Sequence, residues 1–342
     1  MARPQISVLM SVYNGERYLR SAIESVLSQS FADFEFIVID DGSTDSSHQI
    51  LEEMARKDAR LKLFRQENHG LVASLNRALM TAEAPYVARM DADDISHHDR
   101  FAMQHQRLES QPDIAVLGGS VRLIAETGQP LSIVRYPKSP GAAFYRQPGF
   151  NPIPHPAVMA RTEILRGLGG YSPLYPQAED YALWIKAAGM FRLANLPDIV
   201  LDYRIHPAKM SAIHARSQVI SGFVARMRAL GEIKDNNEVL ATEELLDQII
   251  SAHPCRQRHE LVFKSWLAHF LANSGRDDEA DRIGSSAFHS HPPALLPEEI
   301  AFVRTCGLRL TYRNLKKMRF RTALLFALKL LRFMLTQPPA LA

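Results

Sequence analysis

Between residues 6 and 108 the chain repeats one pattern: a short apolar run, then a stretch with apolar residues at helical spacing. Ile6–Val12, Phe34–Ile39, Leu61–Phe64 and Tyr86–Met90 read as strands. Between them, Glu16–Gln29 sets Tyr18, Leu19, Ala22, Ile23, Val26 and Leu27 on one helical face, a second helix carries Ile50, Leu51 and Met54, and Leu71–Thr81 forms a third. Arg100–Leu108 reads as a fourth helix. Parallel strands need a long crossover, and helical crossovers cover both faces of the sheet. The expected fold is therefore α/β, a mostly parallel sheet flanked by helices. Ligands in such sheets bind beyond the carboxyl ends of the strands.

Those ends are where the polar residues fall. The first strand runs into Ser11-Val12-Tyr13-Asn14, the second into Asp40-Asp41-Gly42-Ser43, and the fourth into Asp91, Asp93 and Asp94. Three carboxylates in close array repel one another unless a cation sits among them. Hard oxygen ligands suit Mg²⁺ or Mn²⁺, which bind through a few carboxylates together with substrate phosphates. The residues alone also allow an acidic turn that caps the next helix.

After Gly118-Gly119 the pattern loosens into strand pairs and Pro-rich loops as far as about residue 156. A helix over Glu179–Gly189 follows, then strand-like Phe191–Leu196 and Ile199–Tyr203; from about Ala215 the pattern is helical. The expected division is 1–212 and 213–342, one large domain with a helical C-terminal region, which suits a chain of 342 residues. Two cysteines, Cys255 and Cys306, make neither a disulfide framework nor a metal-ligand spacing, so a cytoplasmic setting is expected. The N-terminal residues lack the apolar core of a signal peptide, and no apolar run is long enough to span a bilayer. A net charge of +3 is too small to imply a nucleic-acid partner. Its distribution is uneven: 313–335 is rich in Lys and Arg, contains no acid, and carries Leu, Phe and Met throughout. That composition fits peripheral contact with the inner face of the cytoplasmic membrane, or a helix packed on its own domain with cations at the rim.

Four motifs follow one another: Ser-Val-Tyr-Asn-Gly-Glu, Val-Ile-Asp-Asp-Gly-Ser-Thr-Asp, Met-Asp-Ala-Asp-Asp and Ala-Glu-Asp-Tyr-Ala-Leu-Trp. Together they resemble the family 2 glycosyltransferases, inverting enzymes of the GT-A fold that use nucleotide-sugar donors. The resemblance spans about residues 4–210. It implies that Ser11 and Tyr13 contact the nucleotide base, with the Tyr13 ring offering a stacking face. It implies that Asp41 accepts from a base N–H, which favours uracil or another base with an imide donor, and that Asp91 and Asp93 form the D-x-D pair. Asp91 would lie near ribose and metal, Asp93 would be the direct ligand of Mn²⁺ or Mg²⁺, and Asp94 would support the loop. Asp180 matches the general base and Glu179 a carboxylate that orients it; plain helix-dipole complementarity would also place acids there. His206, in Tyr-Arg-Ile-His, matches a position where relatives place a metal-side histidine.

One position departs from the pattern. Relatives carry Ala-Arg-Asn before the D-x-D strand, where this chain has Ser74-Leu75-Asn76 followed by Arg77. Leu75 cannot contact phosphate, so that role is vacant or moves to Arg77 or elsewhere. Asn76 stays a nucleotide-side candidate, although it could equally satisfy nearby backbone. Trp184 fits the core better than a sugar-stacking face, and Gly169-Gly170-Tyr171 reads as an acceptor-side loop. His97, His98 and His155 have no motif support. The expected activity is metal-dependent transfer of a sugar from a UDP-type donor to a hydroxyl of a saccharide or lipid-linked acceptor. The alternatives are a non-catalytic nucleotide-sugar-binding or assembly subunit and a nucleotidyltransferase. The latter needs a Gly-rich, basic triphosphate loop, and Ser11–Arg17 offers only Gly15 and Arg17.

Overall fold

The computed structural model describes residues 3–141, 151–206, 209, 213–233, 240–252, 255–273, 276–287, 295, 297–316 and 320–336. Two compact units emerge. The first takes in the described residues of Met1–Ala142, Asn151–Pro173 and Leu183–His206, and the second those of Leu174–Ala182 and Pro207–Ala342. The second unit therefore includes a short excursion that a single boundary in the sequence cannot express.

The first unit is built on β1 (Ile6–Val12), α1 (Glu16–Leu27), β2 (Phe34–Asp40), α2 (Ser47–Lys57), β3 (Leu61–Arg65), α3 (Leu71–Thr81) and β4 (Tyr86–Arg89). Then come β5 (Ile95–Ser96), α4 (Arg100–Ser110), β6 (Ile114–Ile124), β7 (Pro130–Val134), a 3₁₀ turn at His155–Ala157, β8 (Met159–Arg161) and α5 (Thr162–Gly167). Helix α6 (Glu179–Ala188) crosses the division, and β9 (Arg192–Arg204) completes the sheet. The strand order is β3-β2-β1-β4-β8-β6-β9-β5, with β7 beside β6.

Strands β1 to β4 are parallel neighbours, as the alternation predicts. Strand β2 is buried along its whole length, which is why Phe36–Ile39 reads as a continuous apolar run rather than an alternating one; Glu35, buried just before it, accepts from Ser7 Oγ and pairs with Lys62. The helices bury one stripe each, Leu19, Ala22, Ile23 and Val26 in α1 and Ser74, Leu75, Ala78 and Leu79 in α3. Register fixes what meets at the carboxyl edge: Ser11 lies beside Ile39 and Val12 beside Asp40, while Leu9 pairs with Arg89 two residues short of Asp91.

The later part differs from the sequence expectation in two respects. Phe191–Leu196 and Ile199–Tyr203 belong to one strand, β9, which runs parallel to β6 through several register shifts. Gly118-Gly119 lies inside β6 rather than ending the regular pattern. A Cβ at Gly118 would sit 2.2 Å from Asn195 Oδ1, and one at Gly119 2.6 Å from Val200 Cγ2. The glycines are there so that β9 can approach, a reason invisible along a single strand.

The second unit is helical in its described residues: α7 (Ala215–Ala229), α8 (Glu243–Ala252), α9 (Arg256–Asn273), α10 (Asp277–Ala287), α11 (Pro297–Lys316) and α12 (Phe320–Thr336). Its interior holds an ion network as well as apolar side chains. Arg226 donates to Glu299 at 3.0 Å, and Arg258 bridges Glu299 and Glu232 at 2.8 Å each. Among the described residues no helix is long and apolar enough to cross a membrane.

Candidate active site

The carboxyl edge of β1, β2 and β4 gathers most of the residues that the motifs single out. Asn14, held at φ 52°, accepts from Thr44 N at 2.8 Å, and Asn14 N donates to Ser43 Oγ at 3.1 Å. These bonds splice the loop after β1 to the loop after β2. Tyr13, at their junction, keeps half of its surface exposed. Asp40 is fully buried and serves the same loop, accepting from Ser43 N at 3.0 Å and contacting His48 Nδ1 at 2.9 Å.

Asp41 is also buried. Its carboxylate accepts from Gln66 Nε2 at 2.7 Å, His69 N at 3.0 Å and Gly70 N at 2.8 Å. It thereby ties the start of α3 to the end of β2. Arg77 donates to Gln66 Oε1 at 2.8 Å and Arg65 O at 3.2 Å, so its guanidinium supports this same loop. Leu75 is fully buried in the stripe of α3. Asn76 turns both ends of its amide to one residue: Nδ2 donates to Tyr171 O at 2.8 Å, and Oδ1 accepts from Tyr171 N at 2.9 Å. It fastens α3 to Gly169-Gly170-Tyr171, and a Cβ at Gly170, where φ is 68°, would meet Asn76 Oδ1 at 2.5 Å.

Past β4 the acidic cluster converges. Asp91, Asp93 and Asp94 each offer a carboxylate oxygen, and these atoms all lie within 4.8 Å of one another. Two oxygens on opposite sides of one ion are about 4 Å apart around Mg²⁺ and about 5 Å around a larger hard cation, so a small inward shift of these carboxylates would let one divalent cation draw them together. The three acids are not equivalent. Asp91 forms an ion pair with Arg89, which is 5% exposed. Burial works against the Arg89 charge, but the Asp91 carboxylate outweighs it and holds the guanidinium firmly protonated. Asp93 Oδ2 lies 2.8 Å from His206 Nε2. Asp94 is fully buried and accepts from Arg204 N at 2.9 Å, a loop-supporting position.

Arg204 and Arg89 are what the sequence reasoning passed over. Arg204, also buried, donates from Nε to Asp93 O at 2.8 Å and from Nη1 to Glu126 O at 2.8 Å and Ala125 O at 3.3 Å. Its guanidinium lies 4.6 Å above the Tyr18 ring, and that ring also meets His206 at 5.2 Å. One side chain thus pins the acidic loop, the turn between β6 and β7, and α1. The signal was available, since a charged residue inside an otherwise buried strand demands partners. Among the other histidines, His97 pairs with Asp202 at 2.7 Å, while burial holds His155 neutral beside the Tyr171 hydroxyl at 3.0 Å.

Glu179 and Asp180 are described with the second unit. Both are buried at the start of α6, and Asp180 Oδ1 accepts from Tyr181 N at 2.7 Å. Gln177, just before them, adopts φ 65°, an uncommon conformation for a non-glycine residue. Tyr181 packs edge-on against Trp266 with centroids 6.1 Å apart. Trp184 is fully buried and so belongs to the core.

A mostly parallel, curled sheet with carboxylates at its carboxyl edge, followed by helices, is the architecture of the GT-A class. Comparison with known proteins narrows this. Residues 7–167 match the family described as Glycosyl transferase family 2. The chain is 32% identical over 206 residues to the O-antigen biosynthesis glycosyltransferase WbnJ of Escherichia coli, covering 59% of this chain and 80% of that one. It is 31% identical over 230 residues to a glycosyltransferase of Haemophilus influenzae, covering 63% and 70%. Similar folds include Staphylococcus aureus TarS 1–349 in complex with UDP, with a TM-score of 0.52, 18% identity and coverage of 96% and 89%. The mannosyltransferase PcManGT of Pyrobaculum calidifontis, in complex with GDP-Man and Mn²⁺, superposes with a TM-score of 0.55 at 17% identity, covering 98% and 88%. The chain belongs to glycosyltransferase family 2 and is a glycosyltransferase.

Proposed function

We propose that this enzyme is a metal-dependent, inverting glycosyltransferase that moves a sugar from a UDP-linked donor to a hydroxyl of a saccharide or lipid-linked acceptor. The observation that carries the reading is the convergence of Asp91, Asp93 and Asp94 within 4.8 Å, with His206 held against Asp93. Asp91 and Asp93 would hold Mn²⁺ or Mg²⁺, and a neutral imidazole nitrogen of His206 would complete the coordination sphere. A bound divalent cation offsets the charge of the donor diphosphate and of the departing nucleotide.

The chain's own residues supply the rest. Tyr13 and Ser11 would face the base. Asp41 has about four lone-pair sites, of which the loop fills three, so a base imide N–H would take the one that is left. That contact is available to uracil and to guanine, and both UDP and GDP-Man occur with similar folds. Asp180 would accept the proton of the acceptor hydroxyl, with Glu179 steadying it. The acceptor oxygen attacks the anomeric carbon as the bond to the diphosphate oxygen breaks, and the nucleotide leaves with the electron pair. An α-linked donor then yields a β-linked product. Work at the inner face of the cytoplasmic membrane would suit a lipid-linked acceptor.

Calorimetric titration with UDP and GDP, with and without Mn²⁺, tests the donor side. UDP should bind more tightly with Mn²⁺, and Asp93→Ala should abolish that gain along with donor hydrolysis. Equal UDP binding with and without Mn²⁺, unaffected by Asp93→Ala, would refute the metal-dependent reading.

A further inference from the structure

The last helix has two apolar faces, and its own unit uses only one. Ala323, Phe326, Leu330 and Phe333 of α12 are buried. Phe326 packs so closely on α10 that a Cβ at Gly284 would meet it at 3.0 Å, and a Cβ at Gly307 of α11 would meet Leu330 at 2.9 Å. Leu324, Leu328 and Leu331 are more than half exposed, at 61%, 57% and 54%. Their i, i+4, i+7 spacing makes them one stripe, about half a turn away from Phe326. The preceding helix α11 likewise exposes Leu308 and Tyr312, four residues apart. A helix that needed only to complete a bundle would carry polar residues at these places.

Charge selects the occupant. Between Arg313 and Leu335 the chain carries Arg313, Lys316, Lys317, Arg319, Arg321, Lys329 and Arg332, and no Asp or Glu. Arg313 is paired with Asp277, and Lys329 Nζ donates to Ser285 O at 2.8 Å, yet the segment stays strongly cationic. A second copy of the chain would bring two cationic stripes together. A nucleic acid would satisfy the charges and leave the leucines in water. An anionic bilayer surface satisfies both, with leucines at the acyl boundary and cations among the headgroups. The helix spans about 25 Å, enough to lie along such a surface.

We propose that α12 is a membrane-surface helix that inserts Leu324, Leu328 and Leu331 into the headgroup layer of an anionic bilayer. This goes beyond the transfer reaction and stands independently of the metal and base assignments.

The test is flotation of the full chain with vesicles of phosphatidylcholine alone or of phosphatidylcholine and phosphatidylglycerol in equal parts. The chain should float with the anionic vesicles, less so in high salt, and stay behind with the neutral ones. A Leu324→Ser/Leu328→Ser/Leu331→Ser variant should lose at least about tenfold in partitioning, since each buried leucine contributes to interfacial binding. Its melting temperature should fall by only a few degrees, through the lower helix propensity of Ser, because the three side chains are more than half exposed. Leu328→Glu, a single change, should weaken flotation in the same direction. Equal flotation of wild type and both variants would overturn the proposal, as would equal binding to neutral vesicles. It would also be overturned if the triple change turned a dimer into a monomer in light scattering, or if the chain bound single-stranded RNA but no vesicles.

Discussion

Replacing Arg204 by alanine should damage the catalytic unit out of proportion to one surface-distant side chain. Arg204 makes two hydrogen bonds at 2.8 Å, to Asp93 O and Glu126 O, and a longer one to Ala125 O. It is 6% exposed, so water does not readily replace it. Bonds from a charged donor contribute about 1.5–3 kcal/mol each, and the guanidinium over Tyr18 adds about 0.5–1 kcal/mol. Allowing for relaxation around the new cavity, the loss should be about 3–5 kcal/mol. For a unit of this size that lowers the melting temperature by roughly 10 °C. Arg204→Lys keeps the charge but offers a single donor nitrogen in place of the planar fork, and should lose about half as much. Because the Arg204 side chain holds the Asp93 carbonyl, it also sets the position of Asp93 in the acidic cluster, while the backbone N–H that holds Asp94 survives the substitution. Mn²⁺ titration followed by electron paramagnetic resonance should therefore show weakened binding in Arg204→Ala and partial recovery in Arg204→Lys. An alanine variant with unchanged melting and unchanged Mn²⁺ affinity would refute the reasoning.

Removing the two D-x-D acids should separate stability from metal binding. Asp91→Ala leaves the buried Arg89 guanidinium unpaired and should cost about 3–5 kcal/mol in thermal or urea unfolding. Asp93→Ala should cost much less, because its partner His206 is an imidazole rather than a buried, permanently charged guanidinium, while Mn²⁺ binding is lost in calorimetry. Asp180→Asn should keep UDP affinity and lower turnover by about 10²–10⁴; normal turnover would exclude Asp180 as the base. Burial raises the Asp202 carboxyl, but hydrogen bonds from His97 and Arg122 outweigh it and hold the group below the usual carboxylate range. A depressed carboxylate contributes stability above its unfolded pKa and loses it as pH falls through the folded one. Melting temperatures should accordingly drop in acid below the ordinary aspartate range, and Asp202→Asn should flatten that drop.

Local pattern was enough for the first half of the chain. Apolar runs marked β1 to β4: β1, β2 and β4 are buried along almost their whole length and need no alternation, while β3 is only partly buried. The acidic cluster was legible for the same reason: Asp91, Asp93 and Asp94 are neighbours in sequence, so their mutual repulsion shows without a fold. Gly118-Gly119 was not legible as part of a strand, because the groups that require glycine there, Asn195 and Val200, are some eighty residues away.

The partners of the acids were only partly legible: the resemblance put His206 on the metal side, and the rest needed the fold. The motif order assigned Asp41 to the base and Asn76 to the nucleotide side, but only the tertiary structure gave Asp41 its three loop donors and Asn76 its two bonds to Tyr171. Arg204 and His206 stand more than a hundred residues after Asp93, and the antiparallel pairing of β9 with β5, which sets Ile95 beside Asp202, returns them to it. Sequence determined that this chain would carry negative charge at the edge of a parallel sheet, since period and charge are local properties. Which cation, ring and backbone amide would hold that charge in place was decided by long-range strand pairing, which no local spacing encodes.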